Sequence, residues 1–224
     1  MRCCKERILE IMNKKVWIFN HYATDTMLDH GGRHYWFAKY LTRAGYDVRI
    51  FCASTVHDTD INFDVGESGY CDKEVDGLKY TLIETSNYVG NGKSRVKNMY
   101  QYYRRIFRVV KNYDKPDVIF ASSVHPLTLL AGIKIAKKLG VKCICEVRDL
   151  WPESLVEYEI IPRNHILTKL MYRGERRLYR RADTLIFTMP GAGKYISDRG
   201  WEKDISKEKI HFINNGIDLE VYNE

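Results

Sequence analysis

Charged residues crowd one short run, Glu146-Val147-Arg148-Asp149-Leu150-Trp151-Pro152-Glu153-Ser154, directly after an apolar stretch that reads as a β-strand. An arginine beside an aspartate at a strand end can clamp an anion and accept a proton, respectively. The structural alternative is an ion pair that closes the loop. A glycine pair, Gly31-Gly32 with Arg33, sits between another apolar strand and the first long helical pattern. Glycines there let the backbone approach a phosphate while the helix N-terminus offers amide donors and a positive dipole; a tight turn would use them equally well. His125, after Ser122-Ser123, stands at the tip of a third strand, where it can bind a hydroxyl or a phosphate or simply cap the next helix.

A basic segment is the fourth feature. No acid occurs between Thr85 and Tyr113, whereas Lys93, Arg95, Lys97, Arg104, Arg105, Arg108 and Lys111 are all cationic. Wound at about 100° per residue, this helix places Lys93, Lys97, Arg104, Arg105, Arg108 and Lys111 along one flank. Val96, Met99, Tyr100, Tyr103, Ile106, Phe107 and Val110 form an apolar stripe that reads as core or interface. A later helix repeats the theme with Lys169, Arg173, Arg176 and Arg180. Such a face is either solvated or drawn to anionic headgroups, the latter worth on the order of 1 kcal/mol per basic residue.

These residues need a frame. With 224 residues, 45% hydrophobic and 29% charged, the chain suits one sizeable α/β domain with its own core. The spacing predicts strands at Val16–Phe19, Asp47–Phe51, Val118–Ala121, Val141–Val147, Thr184–Thr188 and Lys209–Ile213. Helices fall between them, over 32–44, 94–112, 126–139, about 163–181 and about 192–198. Phe37, Tyr40, Leu41 and Ala44 share a face of the first helix. Asp76-Gly77 marks a β-hairpin, read as an insertion between core elements. Strands alternating with helices imply a doubly wound, Rossmann-like parallel sheet, whose ligands sit at the carboxyl ends of the strands. That rule adds Asn20, His21 and Glu153 to the candidates. Residues 1–13 read as a tail, 14–213 as the domain, and 214–224 as the start of a linker to a domain that would follow.

Other classes fit poorly. Eleven residues separate Phe19 from Gly31, too many for a GxGxxG turn, and no acid ends the second strand to hold a ribose. This argues against a dehydrogenase and, with no Tyr-x-x-x-Lys in suitable context, against an epimerase. The six cysteines and seven histidines show no CxxC or HExxH spacing, so no structural metal or disulfide framework is expected. Cys143 and Cys145 share a strand face as small hydrophobes. No transmembrane stretch or secretory signal is apparent, which makes the cytoplasm the expected location.

Together these segments resemble glycosyltransferase family 4. Gly31-Gly32 opens a helix ending in Leu41-x-x-x-Gly45-Tyr46-x-Val48, like the family's first glycine motif. Arg148-Asp149-Leu150-Trp151-Pro152-Glu153 resembles a segment of its bacterial polysaccharide subgroup. Glu175 followed by Arg181-Ala182-Asp183 is similar to the family's Glu…Ala-Asp helix end. Asn215-Gly216-Ile217-Asp218 matches its Asn-Gly-(Val/Ile)-Asp turn. The resemblance implies the acceptor-side half of a two-domain GT-B enzyme that retains anomeric configuration, with no permanent cofactor and a UDP- or GDP-sugar as co-substrate. It also implies a lipid-linked or saccharide acceptor of an envelope pathway. The basic helix, read separately, adds the cytoplasmic membrane surface as a partner; nucleic acid is not expected.

Carried over by position, Gly31, Gly32 and Arg33 face the donor diphosphate, and Arg148 and Asp149 lie at the reacting centre. Asn20, His21, His125 and Glu153 stand on the acceptor side, and Asn215 and Gly216 form the interdomain hinge. Many members carry histidine where Arg148 falls, so Asp149 becomes the candidate base and Arg148 a charge stabiliser. The alternative is a non-catalytic Rossmann-like domain that binds anionic lipid or nucleic acid through its basic helix.

Overall fold

Central strands are buried on both faces, which is why they read as short, nearly unbroken apolar runs. In the computed structural model, which describes residues 14–222, the strands are β1 (Lys15–Phe19), β2 (Asp47–Ala53), β3 (Tyr70–Val75), β4 (Leu78–Ile83), β5 (Val118–Ser123), β6 (Lys142–Val147), β7 (Thr184–Phe187) and β8 (Ile210–Phe212). The helices are α1 (Ala23–Leu28), α2 (Arg33–Arg43), α3 (Lys93–Val109), α4 (Pro126–Leu139), α5 (Glu153–Glu157), α6 (Ile166–Arg181), α7 (Ala192–Asp198) and α8 (Leu219–Tyr222). One mostly parallel sheet runs in the order β3-β4-β2-β1-β5-β6-β7-β8. The strand order reverses at β1, as a doubly wound Rossmann-like sheet requires.

Local chemistry sets the ends of these elements. Pro126 starts α4 and Gly140, at φ 64°, ends it, with the Val141 amide donating to the Ala136 carbonyl at 3.0 Å. Asp76 and Gly77 both take positive φ, 53° and 73°, the geometry a two-residue hairpin turn demands. The hairpin is not an insertion, however. Its second strand, β4, pairs in parallel with β2 from Arg49–Lys79 to Ala53–Ile83, and only β3 runs antiparallel. β4 is a core strand that delivers Leu82 and Ile83 into the interior.

Two helix faces also differ from the sequence reading. On α2 the buried residues are His34, Tyr35 and Ala38, while Tyr40 and Ala44 are exposed. On α3 the buried face is Asn98, Met99, Tyr102, Ile106 and Val109. Val96 and Tyr100 are 61% and 54% exposed, with Tyr103 and Phe107 half-buried. At about 100° per residue the expected stripe is too wide for one contact, so its outer row faces outward.

The chain resolves into two compact units. One runs to Ile119 and takes in Gly216 onward; the other spans Phe120–Asn215. Within the first, Trp17 and Phe19 of β1 stack on each other and both meet Phe51 of β2 edge-on, at 5.2 and 5.4 Å between ring centroids. Within the second, Cys143 and Cys145 are buried side by side on β6, their sulfurs 3.7 Å apart.

Candidate functional site

In the second unit, β5 and β6 end in polar residues. The Arg148 amide donates to Ser123 Oγ at 3.3 Å, tying the two strand ends together. Just inside, the buried Ser122 hydroxyl donates to the buried Glu146 carboxylate at 2.7 Å. Beyond β6 the chain leaves the sheet, so Asp149 is exposed and Arg148 half-buried. The Trp151–Pro152 peptide is cis, and the Leu150 carbonyl accepts both the amide and the hydroxyl of Ser154, each at 2.8 Å. His125 is the residue before α4 and is buried, without a side-chain capping hydrogen bond to the helix. The strand ends thus bring Ser123 up to Arg148 and Asp149, the two residues expected at the reacting centre.

Glu153 is placed differently from a group aimed at an acceptor. Arg163 binds its carboxylate at 2.7 Å, Tyr172 and Arg199 also donate to it, and the Arg199 guanidinium lies 3.7 Å from the Tyr172 ring centroid. With two arginines and a tyrosine engaged, the carboxylate works as a clasp between α5, α6 and α7. Sequence alone gave no sign of this, because Arg199 lies 46 residues away.

Glu175 of α6 is buried and accepts hydroxyl hydrogen bonds from Tyr179 at 2.7 Å and Tyr195 at 2.8 Å. Burial pushes its pKa from 4.5 up to about 8, only partly opposed by the two hydroxyls, so the acid holds its proton at neutral pH. It lines a cavity with Asp149, although the two carboxyls differ: one is sealed in the interior and one is exposed.

In the first unit, Gly32 takes φ 89° and ψ 170° as the residue before α2. A Cβ at Gly32 would lie 3.0 Å from Thr26 Cγ2, whereas at Gly31 the nearest atom would be 3.5 Å away. Only Gly32 is therefore demanded by backbone geometry. α2 has eleven residues, and its first hydrogen bond runs from the Trp36 amide to the Gly32 carbonyl at 3.0 Å. The amides of Arg33, His34 and Tyr35 consequently precede any intrahelical acceptor, as anion-binding helix starts have them. The Arg33 guanidinium lies 4.6 Å from the Phe37 ring centroid.

Asn20 and His21 do not face outward: they are 1% and 0% exposed. Asn20 Nδ2 meets His34 Nδ1 at 2.9 Å, and its Oδ1 accepts the Tyr22 amide at 3.2 Å. His21 stacks between Tyr22 and Tyr102, with centroids 4.5 and 4.6 Å away, and Tyr22 stacks in turn on His57 at 4.5 Å. Both residues brace the loop that carries the glycine pair. They look like ligand-facing strand-end polars in sequence because two of the partners that hold them inside, His34 and Tyr102, are distant in the chain.

The basic flank of α3 keeps Lys93, Lys97, Arg104, Arg108 and Lys111 exposed. Arg105 leaves it: the side chain pairs with the Glu84 carboxylate at 2.9 Å and donates to the Glu84 carbonyl at 2.6 Å. The cations thus run beside the outward Val96 and Tyr100 row, a basic-aromatic combination rather than a purely polar one. At the chain's other end Asn215 and Gly216 are exposed, but Asp218 is buried. Lys39 and Tyr40 of α2 bind the Asp218 carboxylate at 2.7 and 2.6 Å, and Arg43 binds Glu220 at 2.7 Å. The segment expected to begin a linker is latched to α2 within the first unit.

No curated protein matches the chain. Among solved structures, a sucrose-phosphate synthase from Thermosynechococcus elongatus superposes with a TM-score of 0.57 at 12% identity, over 93% of each chain. The catalytic domain of starch synthase IV from Arabidopsis thaliana, bound to ADP and acarbose, gives 0.56 at 13% identity, over 94% of this chain and 53% of that one. HepE from Anabaena, in complex with UDP and glucose, gives 0.52 at 12% identity, over 94% and 46%. The chain therefore spans about half the length of the last two, and at such identities the likeness is one of fold. The family model for Glycosyltransferase Family 4 is another kind of match, running through residues 35–221 and so through every element from α2 to α8. A match over most of its length shows that the chain belongs to Glycosyltransferase Family 4.

Proposed function

We propose that this chain is the acceptor-side part of a retaining glycosyltransferase. The enzyme moves a sugar from a UDP- or GDP-sugar to a lipid-linked saccharide of bacterial envelope polysaccharide synthesis. Residues 14–213 form the acceptor-side domain, and residues 214–224 lead toward a donor-binding domain. The observation that carries this is the half-buried Arg148 beside the exposed Asp149 at the carboxyl end of β6, tied to Ser123 at the end of β5, in a chain of this family. A parallel sheet presents its ligand-binding residues at that position.

Roles follow from chemistry. Asp149, an exposed carboxylate, accepts the proton of the acceptor hydroxyl or orients that hydroxyl. Arg148 stabilises charge that develops on the departing diphosphate. The Gly31-Gly32 loop and the start of α2, with Arg33, hold phosphate through backbone amides and the helix dipole. The nucleotide complexes of starch synthase IV and HepE support a nucleotide-sugar as co-substrate. The exposed cations and aromatic row of α3 support attachment at the inner membrane face, and no described helix is long and apolar enough to cross a membrane.

The test is sugar transfer from radiolabelled nucleotide-sugars to lipid-linked acceptors. Joined to a donor-binding domain, the protein should transfer, and Asp149→Asn should lower kcat by about 100-fold or more. The 224-residue chain alone should transfer nothing, because both walls of the cleft must hold the transition state. Transfer by the chain alone at an ordinary enzyme rate, or an unaltered kcat in Asp149→Asn, would overturn the assignment.

A further inference from the structure

The second unit contains a cavity of about 420 Å³, within the range of roughly 300–1,000 Å³ of small-molecule sites. Leu127 and Leu130 of α4 and Met171 and Leu178 of α6 give it apolar walls. Glu175 lines it as a buried acid held neutral, so the sealed wall suits an apolar guest, while the exposed Asp149 and Lys134 also belong to its lining. Exposed Arg177 and Arg181 also line it.

Gly174 is a further sign. Glycine in a helix interior is destabilising relative to alanine, and crowding does not demand it here, since a Cβ at Gly174 would meet nothing within 4 Å. The missing side chain leaves the cavity wall open. At about 100° per residue, Ile166, Leu170, Gly174, Arg177 and Arg181 fall within a sector of about 80° on α6. Ile166 and Leu170 are exposed. One face of one helix therefore passes from exposed aliphatics, through a glycine at the cavity, to two arginines.

Apolar at one end and cationic at the other, that face is complementary to a molecule with a hydrocarbon chain and an anionic head. We infer that the cavity and the adjoining α6 face bind a single-chain lipid phosphate, its chain against Ile166, Leu170 and the leucine walls, its phosphate on Arg177 and Arg181. The inference rests on the lipid-linked acceptor reading above and names the part of the acceptor that this unit would grip.

Isothermal titration of the 224-residue chain with farnesyl phosphate below its micellar concentration tests it, with farnesol and inorganic phosphate as separate arms. Farnesyl phosphate should bind at least tenfold more tightly than either. Gly174→Leu, which fills the cavity without opposing the helix, should weaken it at least tenfold. Arg177→Glu with Arg181→Glu should reduce farnesyl phosphate to the affinity of farnesol. Lys97→Glu, Arg104→Glu and Arg108→Glu on α3 should leave it unchanged, which separates this site from general membrane attraction. Undiminished binding by a Gly174→Leu chain that melts like the parent overturns the inference, as does equal binding of farnesol or inorganic phosphate by the parent. Should Gly174→Leu fail to fold, the exposed arginine pair decides alone. No sugar donor is present, so failed binding leaves sugar transfer standing, and failed transfer by a chain that binds leaves this site standing.

Discussion

Glu175→Gln should flatten the pH dependence of stability. Glu175 is 4% exposed, and burial raises the pKa of its carboxyl from 4.5 to about 8 against the opposing hydroxyls of Tyr179 and Tyr195. The folded chain thus keeps this proton to about pH 8, whereas the unfolded chain releases it above about 4.5. Between those values the unfolded state binds fewer protons, so stability falls as pH rises, by about 1.4 kcal/mol per unit. From pH 5 to pH 7 the loss is about 2–3 kcal/mol, or about 5–10 °C in Tm for a domain of this size. Glutamine is the same size; its carbonyl oxygen accepts one tyrosine hydroxyl and its NH2 can donate to the other. Urea unfolding followed by circular dichroism at pH 5, 6, 7 and 8 measures both proteins. The variant should gain on the parent by about 2–3 kcal/mol between pH 5 and 7. A difference that stays constant across that range would mean that Glu175 is ionised in the folded chain, and the reasoning fails.

Gly32→Ala should destabilise the chain by about 1–3 kcal/mol, because φ 89° and the 3.0 Å approach of Thr26 both oppose a Cβ. Gly31→Ala should leave thermal unfolding unchanged and lower sugar transfer, which isolates a phosphate-loop role; equal destabilisation by both would remove that distinction. Lys97→Glu, Arg104→Glu and Arg108→Glu should release the chain from phosphatidylglycerol vesicles in co-sedimentation, each by on the order of 1 kcal/mol, and Tyr100→Ser should weaken binding further; unchanged sedimentation counts against membrane attachment. Lys39→Met should increase hydrogen exchange at Asp218–Tyr222, and protection unchanged from the parent would dismiss the latch. The Lys39 and Tyr40 hydrogen bonds hold the Asp218 carboxyl down at about 2. The latch in the parent should therefore persist above the ordinary aspartate range and be lost only as pH falls through about 2.

Much of the frame is visible in the sequence because its signals are local. Gly140 after a leucine-rich helix, Asp76-Gly77 between two alternating runs, and Pro126 after a strand each act within a few residues. What sequence misses is non-local. The hairpin signal says that β3 and β4 pair, yet nothing nearby tells that β4 also joins β2. The α3 stripe counts apolar residues at helical spacing, but only the neighbouring elements determine that Met99 and Ile106 go in while Val96 and Tyr100 stay out. The short helices α1 and α5 lack the length for periodicity. Among the proposed site residues, Arg148 and Asp149 are singled out by their position at a strand end. Asn20, His21 and Glu153 share that position, but their partners, His34, Tyr102 and Arg199, appear only in the folded chain. Glu175 is visible as a motif residue, whereas its sealed, proton-holding state is not.

β3 has a consequence for how the chain behaves in company. β4 places Leu78, Tyr80, Leu82 and Ile83 in the core, and bare along its outer side it would offer another chain a ready template for pairing. β3 occupies that position and brings exposed Asp72, Lys73 and Glu74 with it. Charges of both signs on a terminal strand discourage further strand addition. The hairpin thus works as a solubility cap, and a chain relieved of β3 should retain much of its fold yet assemble into aggregates through β4.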